Sequence, residues 1–268
     1  MNNQLDISVI VERSRLGAFQ LLVLIQCFLC MVVDGFDIQA MAYAAPSLIA
    51  DWGIAKANLG PVFSISMLGM LIGSLALGSV ADRVGRRPVL VTASLVMAVL
   101  MYFTAQATTV DSLLALRFFT GIAMGAIVPN VATLVTEYAP RHNRVMLLTL
   151  VSSGMVVGGL VGGAIATALI PLYGWQAVFY LGAVAPLLLG VLMFFALPES
   201  LQWCVLRGRQ LDRVRAILKR IEPGLQIDPQ TTLVIGEPRK KGLSFSLLFA
   251  DGRLPGTLLL WLINFMNM

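Results

Sequence analysis

The sequence predicts an all-α membrane protein with six transmembrane helices and the start of a seventh. Three observations lead to this prediction. The chain of 268 residues is 58% hydrophobic and 12% charged, whereas ordinary soluble domains are about 45–50% apolar and about 25% charged. Its apolar residues fall into six runs, each long enough to cross the hydrocarbon core of a bilayer. Its basic residues collect in alternate connections between those runs.

The predicted spans follow one another with short connections. They cover residues 16–49, 59–80, 88–107, 113–136, 145–172 and 175–197. The predicted organisation is a six-helix bundle over 1–197, a basic linker over 198–253 and the start of a seventh span over 254–268. Within the linker, Leu211–Ile221 has an apolar stripe and a basic face, which predicts an amphipathic helix at the membrane surface.

The distribution of basic residues predicts the orientation of the chain. All 19 Lys and Arg residues except Lys56 and Arg117 lie on one side of the predicted membrane. Cytoplasmic segments carry an excess of Lys and Arg, so the N-terminus is predicted to be cytoplasmic and the membrane to be the inner membrane. The net charge of +5 is explained by this pattern and does not indicate nucleic acid as a partner.

The connection between the second and third spans is a compact charged turn. It has the pattern G-x-x-x-D-R-x-G-R-R, formed by Gly78, Asp82, Arg83, Gly85, Arg86 and Arg87. Gly85 permits a tight reversal, and Pro88 suits the first turn of the next helix. This turn resembles the loop motif of the major facilitator superfamily. The resemblance implies the N-terminal six-helix half of a major facilitator fold, followed by the start of helix seven.

Charged residues after the fourth and sixth spans resemble the superfamily's cytoplasmic charge motifs. They are Glu137, Arg144 and Glu199. In such proteins the acids and the loop arginines form an ion-pair cluster that locks the outward-facing state. The resemblance implies that Arg86 and Arg87 pair with Glu137 and Glu199, and that Arg144 joins them. Ordinary solvated charge beside a membrane is the other interpretation of these residues.

Glycines at helical spacing predict close packing of the fourth and fifth spans. They are Gly121 and Gly125 in the fourth span, and Gly154, Gly158 and Gly162 in the fifth. Small residues four apart share a helix face and let another helix approach closely. The fourth-span pair also resembles the superfamily's fourth-helix motif, whereas the usual Gly-Pro pair of its fifth helix is absent.

Two carboxylates lie about halfway along the first span. Asp34 and Asp37 are three residues apart, so they face the same way on a helix. A charge at this depth must be paired, protonated or in a water-filled cavity. Desolvation and mutual repulsion favour protonation of one of the two carboxyls, which makes them candidate proton carriers. A polar pair satisfied within the bundle, for example by Arg117, is the alternative.

The stretch that holds these carboxylates has the pattern D-G-x-D, which resembles the first helix of the aromatic acid:proton symporter family. This resemblance implies proton-coupled uptake of a benzoate-type acid by alternating access. Arg117 is the candidate partner for the substrate carboxylate, since guanidinium and carboxylate match in a bidentate way. Phe36, Gln39, Tyr43 and Asn130 are candidates for stacking or hydrogen bonding with the substrate, and each also suits simple packing.

Other functions remain as alternatives. A superfamily transporter of sugars, dicarboxylates or drugs stays open, as does a membrane sensor that does not transport. No nucleophile, phosphate-binding loop or metal cluster accompanies the lone His142, and the three cysteines lack metal or disulfide spacing, so we expect no enzyme, cofactor or metal. Such transporters bind substrate between two halves. With the C-terminal half missing, this chain alone is predicted not to transport, whether it is a truncated product, a split gene or a partial record.

Overall fold

The computed structural model describes residues 4–225, 231–236 and 254–259. The chain divides into two compact units, Met1–Val234 and Ile235–Met268. In the second unit residues 254–259 are helical. The remaining parts of the predicted linker and seventh span, residues 226–230, 237–253 and 260–268, lie outside the described residues.

Long helices make up the first unit. In chain order its elements are β1 (Gln4–Asp6), α1 (Ile7–Arg13), α2 (Ala18–Trp52), α3 (Gly60–Val84), α4 (Arg86–Ala105), α5 (Val110–Gly125), α6 (Ile127–Tyr138), α7 (Arg144–Tyr173), α8 (Gln176–Ala196), α9 (Leu201–Arg207), α10 (Leu211–Ile221) and β2 (Thr232–Val234). Within the described ranges, six stretches are long and apolar enough to cross a membrane, and α5 with α6 forms one of them. The predicted all-α fold with six crossings is confirmed.

The fourth span departs from prediction because it is broken at Ala126. The backbone N–H of Ala126 donates to Ala123, three residues earlier, at 3.2 Å. Pro129 has no N–H for the carbonyl of Gly125, four residues before it, and a proline ring crowds that carbonyl. The sequence therefore gives two consecutive helices, α5 and α6, within one span.

The most extensive helix contacts in the bundle are those of α2 with α7 and of α3 with α5. Glycine lies at each crossing. A Cβ atom at Gly158 would overlap the backbone of Val32, and one at Gly35 would overlap the backbone of Met155. Likewise, Gly121 lies against the backbone of Ser66. Because the obstacle is backbone in each case, a larger residue there would force the two helices apart.

The other predicted packing glycines lie at the same two interfaces. Gly125 faces the backbone of α3 at Met70, and Gly154 and Gly162 face Phe28 and Phe36 of α2. The bundle therefore brings α2, which carries both membrane carboxylates, within backbone contact of α7.

The end of the bundle that carries the Gly78–Pro88 turn also holds α1, α9, α10, β1 and β2, and we call it the basic end. The bounds of α10 agree with the predicted amphipathic helix, and its Val214, Leu218 and Ile221 are buried. The strand Gln4–Asp6 pairs in parallel with Thr232–Val234. Short elements near the N-terminus and after the sixth span thus meet at one end of the bundle.

Candidate functional site

An ion pair lies buried in the bundle between α2 and α5. Nη1 of Arg117 donates to both carboxylate oxygens of Asp37, at 3.2 and 3.3 Å. The two residues are 3% and 1% exposed. A buried charge of either sign is costly unless it is paired, so each residue stabilises the burial of the other.

Two further helices hold the Arg117 side chain in place. Its Nη2 donates to Oγ1 of Thr104 on α4 at 3.4 Å. The guanidinium also lies over the ring of Phe179 on α8, 5.1 Å from the ring centroid, a favourable cation–π arrangement. Its Nε is buried and has no hydrogen-bond partner among the described residues. The Nε–H group of Arg117 is therefore an available hydrogen-bond donor. Four helices, α2, α4, α5 and α8, form the site around it.

Asp34 lies one helical turn before Asp37 and is in a different environment. It is fully buried, and neither carboxylate oxygen has a hydrogen-bond partner in the part of the chain that the structure describes. Burying an unpaired ionised carboxylate is far more costly than burying a neutral acid. The two carboxylates are thus distinct: Asp37 has a cationic partner, and Asp34 is suited to hold a proton.

A second cluster of charged residues lies at the basic end, and we call it the latch. Nε of Arg86 lies 3.6 Å from Oε1 of Glu137, and its Nη2 lies 3.5 Å from Oδ1 of Asp82. The other oxygen of Glu137 accepts a hydrogen bond from Oγ of Ser200 at 2.6 Å. The latch thereby joins the turn after α3 to the ends of the fourth and sixth spans.

Glu199 joins the latch through backbone groups. Its Oε1 accepts from the backbone N–H groups of Arg86, Arg87 and Ser200, at 2.8, 3.2 and 2.8 Å. Gly85 makes this approach possible, because its φ is 110° and a Cβ atom there would overlap the Glu199 carboxylate. The chain direction at Gly85 therefore aims two consecutive N–H groups at one carboxylate.

Two of the predicted latch contacts differ in the structure. The guanidinium of Arg87 donates to the carbonyl of Phe194, so the contact that the described residues give between Arg87 and Glu199 is made by the Arg87 backbone. Nη2 of Arg144 lies 3.2 Å from Oε1 of Glu12, whereas the sequence placed Arg144 with the latch acids. Arg144 meets Glu12 because α1 packs against the turn that precedes α7.

The two remaining predicted latch residues, Arg83 and Gly78, make no close contact of this kind with other described residues. Arg83 is exposed. A Cβ atom at Gly78 would meet nothing within 4 Å among the described residues. Within the part of the chain that the structure describes, neither residue takes part in the latch contacts.

The family model for the Major Facilitator Superfamily matches residues 27–268. The chain belongs to this superfamily. It is a multi-pass membrane protein.

Several curated relatives of this superfamily member carry transporter names. The chain is 40% identical to the 4-hydroxybenzoate transporter PcaK of Acinetobacter baylyi, over 99% of this chain and 59% of the relative. It is 39% identical to the PcaK of Pseudomonas aeruginosa, over the same shares. It is 37% identical to the gallate transporter of Pseudomonas putida, over 98% of this chain and 59% of the relative. The chain thus spans about three-fifths of the length of these relatives.

Solved structures agree on the fold. The proton:xylose symporter XylE bound to 6-bromo-6-deoxy-D-glucose superposes with a TM-score of 0.69 at 20% identity, over 76% of this chain and 50% of that one. A bacterial homologue of the lysosomal transporter Spinster, in an inward-facing and unoccupied conformation, gives 0.65 at 17% identity, over 69% and 44%. Likeness at this identity concerns the major facilitator fold alone.

The predicted substrate contacts of this major facilitator bundle lie in several environments. Phe36 is buried against Gly162 and Gly182. The hydroxyl of Tyr43 donates to the carbonyl of Gly159 at 2.8 Å. The two aromatic side chains thus fill space between helices, which favours the packing alternative for both.

Asn130 and Gln39 differ in how accessible their side chains are to a ligand. Asn130 is buried, and its Nδ2 donates to the carbonyl of Ala126 at 2.7 Å, so it satisfies the backbone at the break in the fourth span. Gln39 is exposed on α2 beside Gly159. Of the four candidates, Gln39 has the side chain most accessible to a ligand.

Sequence reasoning missed two residues that hold Arg117 in this superfamily member, Thr104 and Phe179. Thr104 is one of several polar residues in the third span, with Thr92, Ser94 and Gln106, so its residue type alone did not single it out as a contact of Arg117. Phe179 offers no signal either, because an aromatic residue in an apolar span is expected to pack against other apolar side chains.

Proposed function

We propose that the full-length protein is a secondary transporter that takes up a small aromatic monocarboxylic acid together with a proton. One observation carries this proposal: a buried Arg117–Asp37 pair lies one helical turn from the carboxyl of Asp34, which has no hydrogen-bond partner among the described residues. The pair supplies a cation for an organic anion, and the neighbouring acid supplies a place for a proton. The printed names of the relatives, for 4-hydroxybenzoate and gallate, support an aromatic acid as the substrate.

Charge balance links substrate binding to protonation. Arg117 and Asp37 together are neutral, and a substrate carboxylate that displaces Asp37 from Arg117 adds one negative charge to a buried site. Because uncompensated charge in a membrane interior is costly, binding is favourable only when one proton enters as well. Asp34, neutral at rest and one turn away, passes its proton to the displaced Asp37 and takes up the entering proton, so that the loaded site is neutral; alternating access then releases substrate and proton on the other side. The proposal thus predicts one proton for each monocarboxylate.

An uptake assay with the full gene product in proteoliposomes tests this function. An inward proton gradient is expected to drive accumulation of labelled 4-hydroxybenzoate above the level in protein-free vesicles, which corrects for diffusion of the neutral acid. Since one proton neutralises one anion, an imposed membrane potential without a pH difference is expected to drive none. Gallate should compete and xylose should not. Uptake of xylose, with no competition by aromatic acids, would assign the protein to a different substrate class.

We also propose that the basic end faces the cytoplasm of the bacterial inner membrane, so that the latch is the cytoplasmic gate and holds the outward-facing state. The excess of Lys and Arg at that end supports this orientation. The contact of Arg86 with Glu137 is of the kind that biases a transporter toward the one conformation in which it forms.

Thiol labelling of intact cells checks this orientation. A cysteine at exposed Lys56 is expected to react with a membrane-impermeant maleimide added outside, and a cysteine at exposed Lys219 is not. The native cysteines Cys27, Cys30 and Cys204 are buried. Burial, with Glu199 and Glu137 nearby, raises the pKa of the Cys204 thiol to about 12, so its reactive thiolate is scarce at neutral pH. Labelling of the Lys219→Cys variant alone would reverse the orientation and remove the gate from the cytoplasm.

A further inference from the structure

A pocket of about 380 Å³ opens at the basic end, outside the central ion pair and beside the latch. Its walls come from the end of the sixth span, the first turn of α2 and one side of α10. Three arginines, Arg87, Arg213 and Arg220, line it. The pocket therefore gathers basic side chains from two parts of the chain that are far apart in sequence.

The acid in the pocket is already engaged by backbone donors. Glu199 lines the pocket, but its Oε1 accepts the three backbone N–H groups described above. Because this oxygen is already bonded to backbone N–H groups, the guanidinium groups keep N–H donors for a ligand. A site with three arginines and one such carboxylate favours an anionic ligand.

The three guanidinium groups have few hydrogen bonds to described residues. Arg213 donates to Oε1 of Gln210 at 3.3 Å, and Arg220 lies over the ring of Phe19, 5.8 Å from its centroid. Arg87 donates to the carbonyl of Phe194, while its Nε is buried without a hydrogen-bond partner in the described part of the chain. Each guanidinium has five N–H donors, so several remain for a ligand.

The rest of the pocket wall is apolar and continues onto the outer surface of the sixth span. Phe19, Leu197 and Ile217 line the pocket together with Phe195. Phe195 is 79% exposed, and its neighbour Phe194 is 56% exposed. Exposed apolar patches mark membrane or protein contacts, and at the end of a membrane-spanning helix such a patch is suited to lipid. A ligand that fills the pocket thus meets arginines at one end and a hydrocarbon surface at the other.

We propose that this pocket binds the phosphate headgroup of an anionic phospholipid, with the acyl chains against Phe194 and Phe195. Arginine forks match phosphate oxygens, and basic pockets between membrane helices bind anionic headgroups. A soluble phosphate would leave the aromatic surface without a partner, whereas a phospholipid covers both parts. The bound lipid would tie α10 to the end of α8, directly beside the latch residues Arg87 and Glu199.

Lipid binding by the full gene product, purified in a neutral detergent, tests the proposal. Native mass spectrometry is expected to detect bound phosphatidylglycerol but much less phosphatidylcholine. The variant Arg213→Gln/Arg220→Gln keeps much of each side-chain stem but removes two charges, and its affinity for phosphatidylglycerol should fall by at least about tenfold, which corresponds to about 1.4 kcal/mol. Its thermal midpoint without added lipid checks that it folds.

A matched control distinguishes specific binding in the pocket from general attraction between charges. Arg209→Gln/Lys219→Gln removes the same charge from the same segment, at exposed positions that do not line the pocket. This variant is expected to keep its affinity for phosphatidylglycerol. An equal loss in both variants, or equal retention of the two lipids by the unmodified protein, would overturn the proposal. Displacement of phosphatidylglycerol by millimolar inorganic phosphate would do so as well, because the ligand would then be a soluble anion.

Discussion

The Asp37→Asn variant is expected to lose about 3–5 kcal/mol of stability, because removal of one partner leaves a buried charge without compensation. Arg117 cannot escape this cost by losing its proton, since arginine stays charged in proteins. Its other contacts, to Thr104 and Phe179, are neutral. The expected measurement is a clear fall in the thermal unfolding midpoint of the purified protein, together with loss of 4-hydroxybenzoate uptake.

A double variant separates the structural role of Asp37 from its role in transport. Asp37→Asn/Arg117→Gln removes both charges, so that no charge is left buried without compensation. We expect the unfolding midpoint to recover while uptake stays absent, because the substrate carboxylate then has no cation. A midpoint for Asp37→Asn equal to that of the unmodified protein would show that the ion pair is not a structural element of the bundle.

Much of the fold was predictable because a bilayer restricts what a chain can do. Every backbone polar group in hydrocarbon must be satisfied within the segment, so an apolar run of sufficient length has to be a helix. The ends of the helices were less predictable. The second span continues to Val84, past Asp82 and Arg83. Charged side chains do not end a helix, because its backbone hydrogen bonds also form outside the hydrocarbon. This span ends at Gly85, whose φ of 110° breaks the helical path.

The candidate site was predictable where residue types are costly in a membrane. Asp34, Asp37 and Arg117 stand out because charge is rare in apolar spans, and the contact of Arg117 with Asp37 follows from their shared need for a partner. Their unequal environments were not predictable, since both carboxylates lie on the same helix face. The partner of Arg144 was also not predictable, because Glu12 lies 132 positions away in sequence and no local pattern determines where α1 packs.

The Asp34→Asn variant is expected to fold normally and to lose proton-driven accumulation. Asparagine has the shape of the neutral acid, and neither oxygen of Asp34 has a hydrogen-bond partner among the described residues, so the unfolding midpoint should change little. Without a group to take the proton, an inward pH gradient should no longer drive concentrative uptake. Exchange of labelled for unlabelled 4-hydroxybenzoate across the vesicle membrane should persist, because Arg117 and Asp37 remain in place to bind the anion.

The contrast between exchange and accumulation makes Asp34→Asn the sharpest test of coupling. Asp111→Asn, at an exposed carboxyl in the first turn of α5, is the matched control and should retain both activities. If Asp34→Asn accumulates substrate as well as the control does, Asp34 is not the proton carrier, and the proton must enter through Asp37 or through another part of the protein. If exchange is lost while the midpoint is unchanged, Asp34 acts in substrate binding instead. Only loss of accumulation with exchange intact assigns the proton to Asp34 and the anion to Arg117.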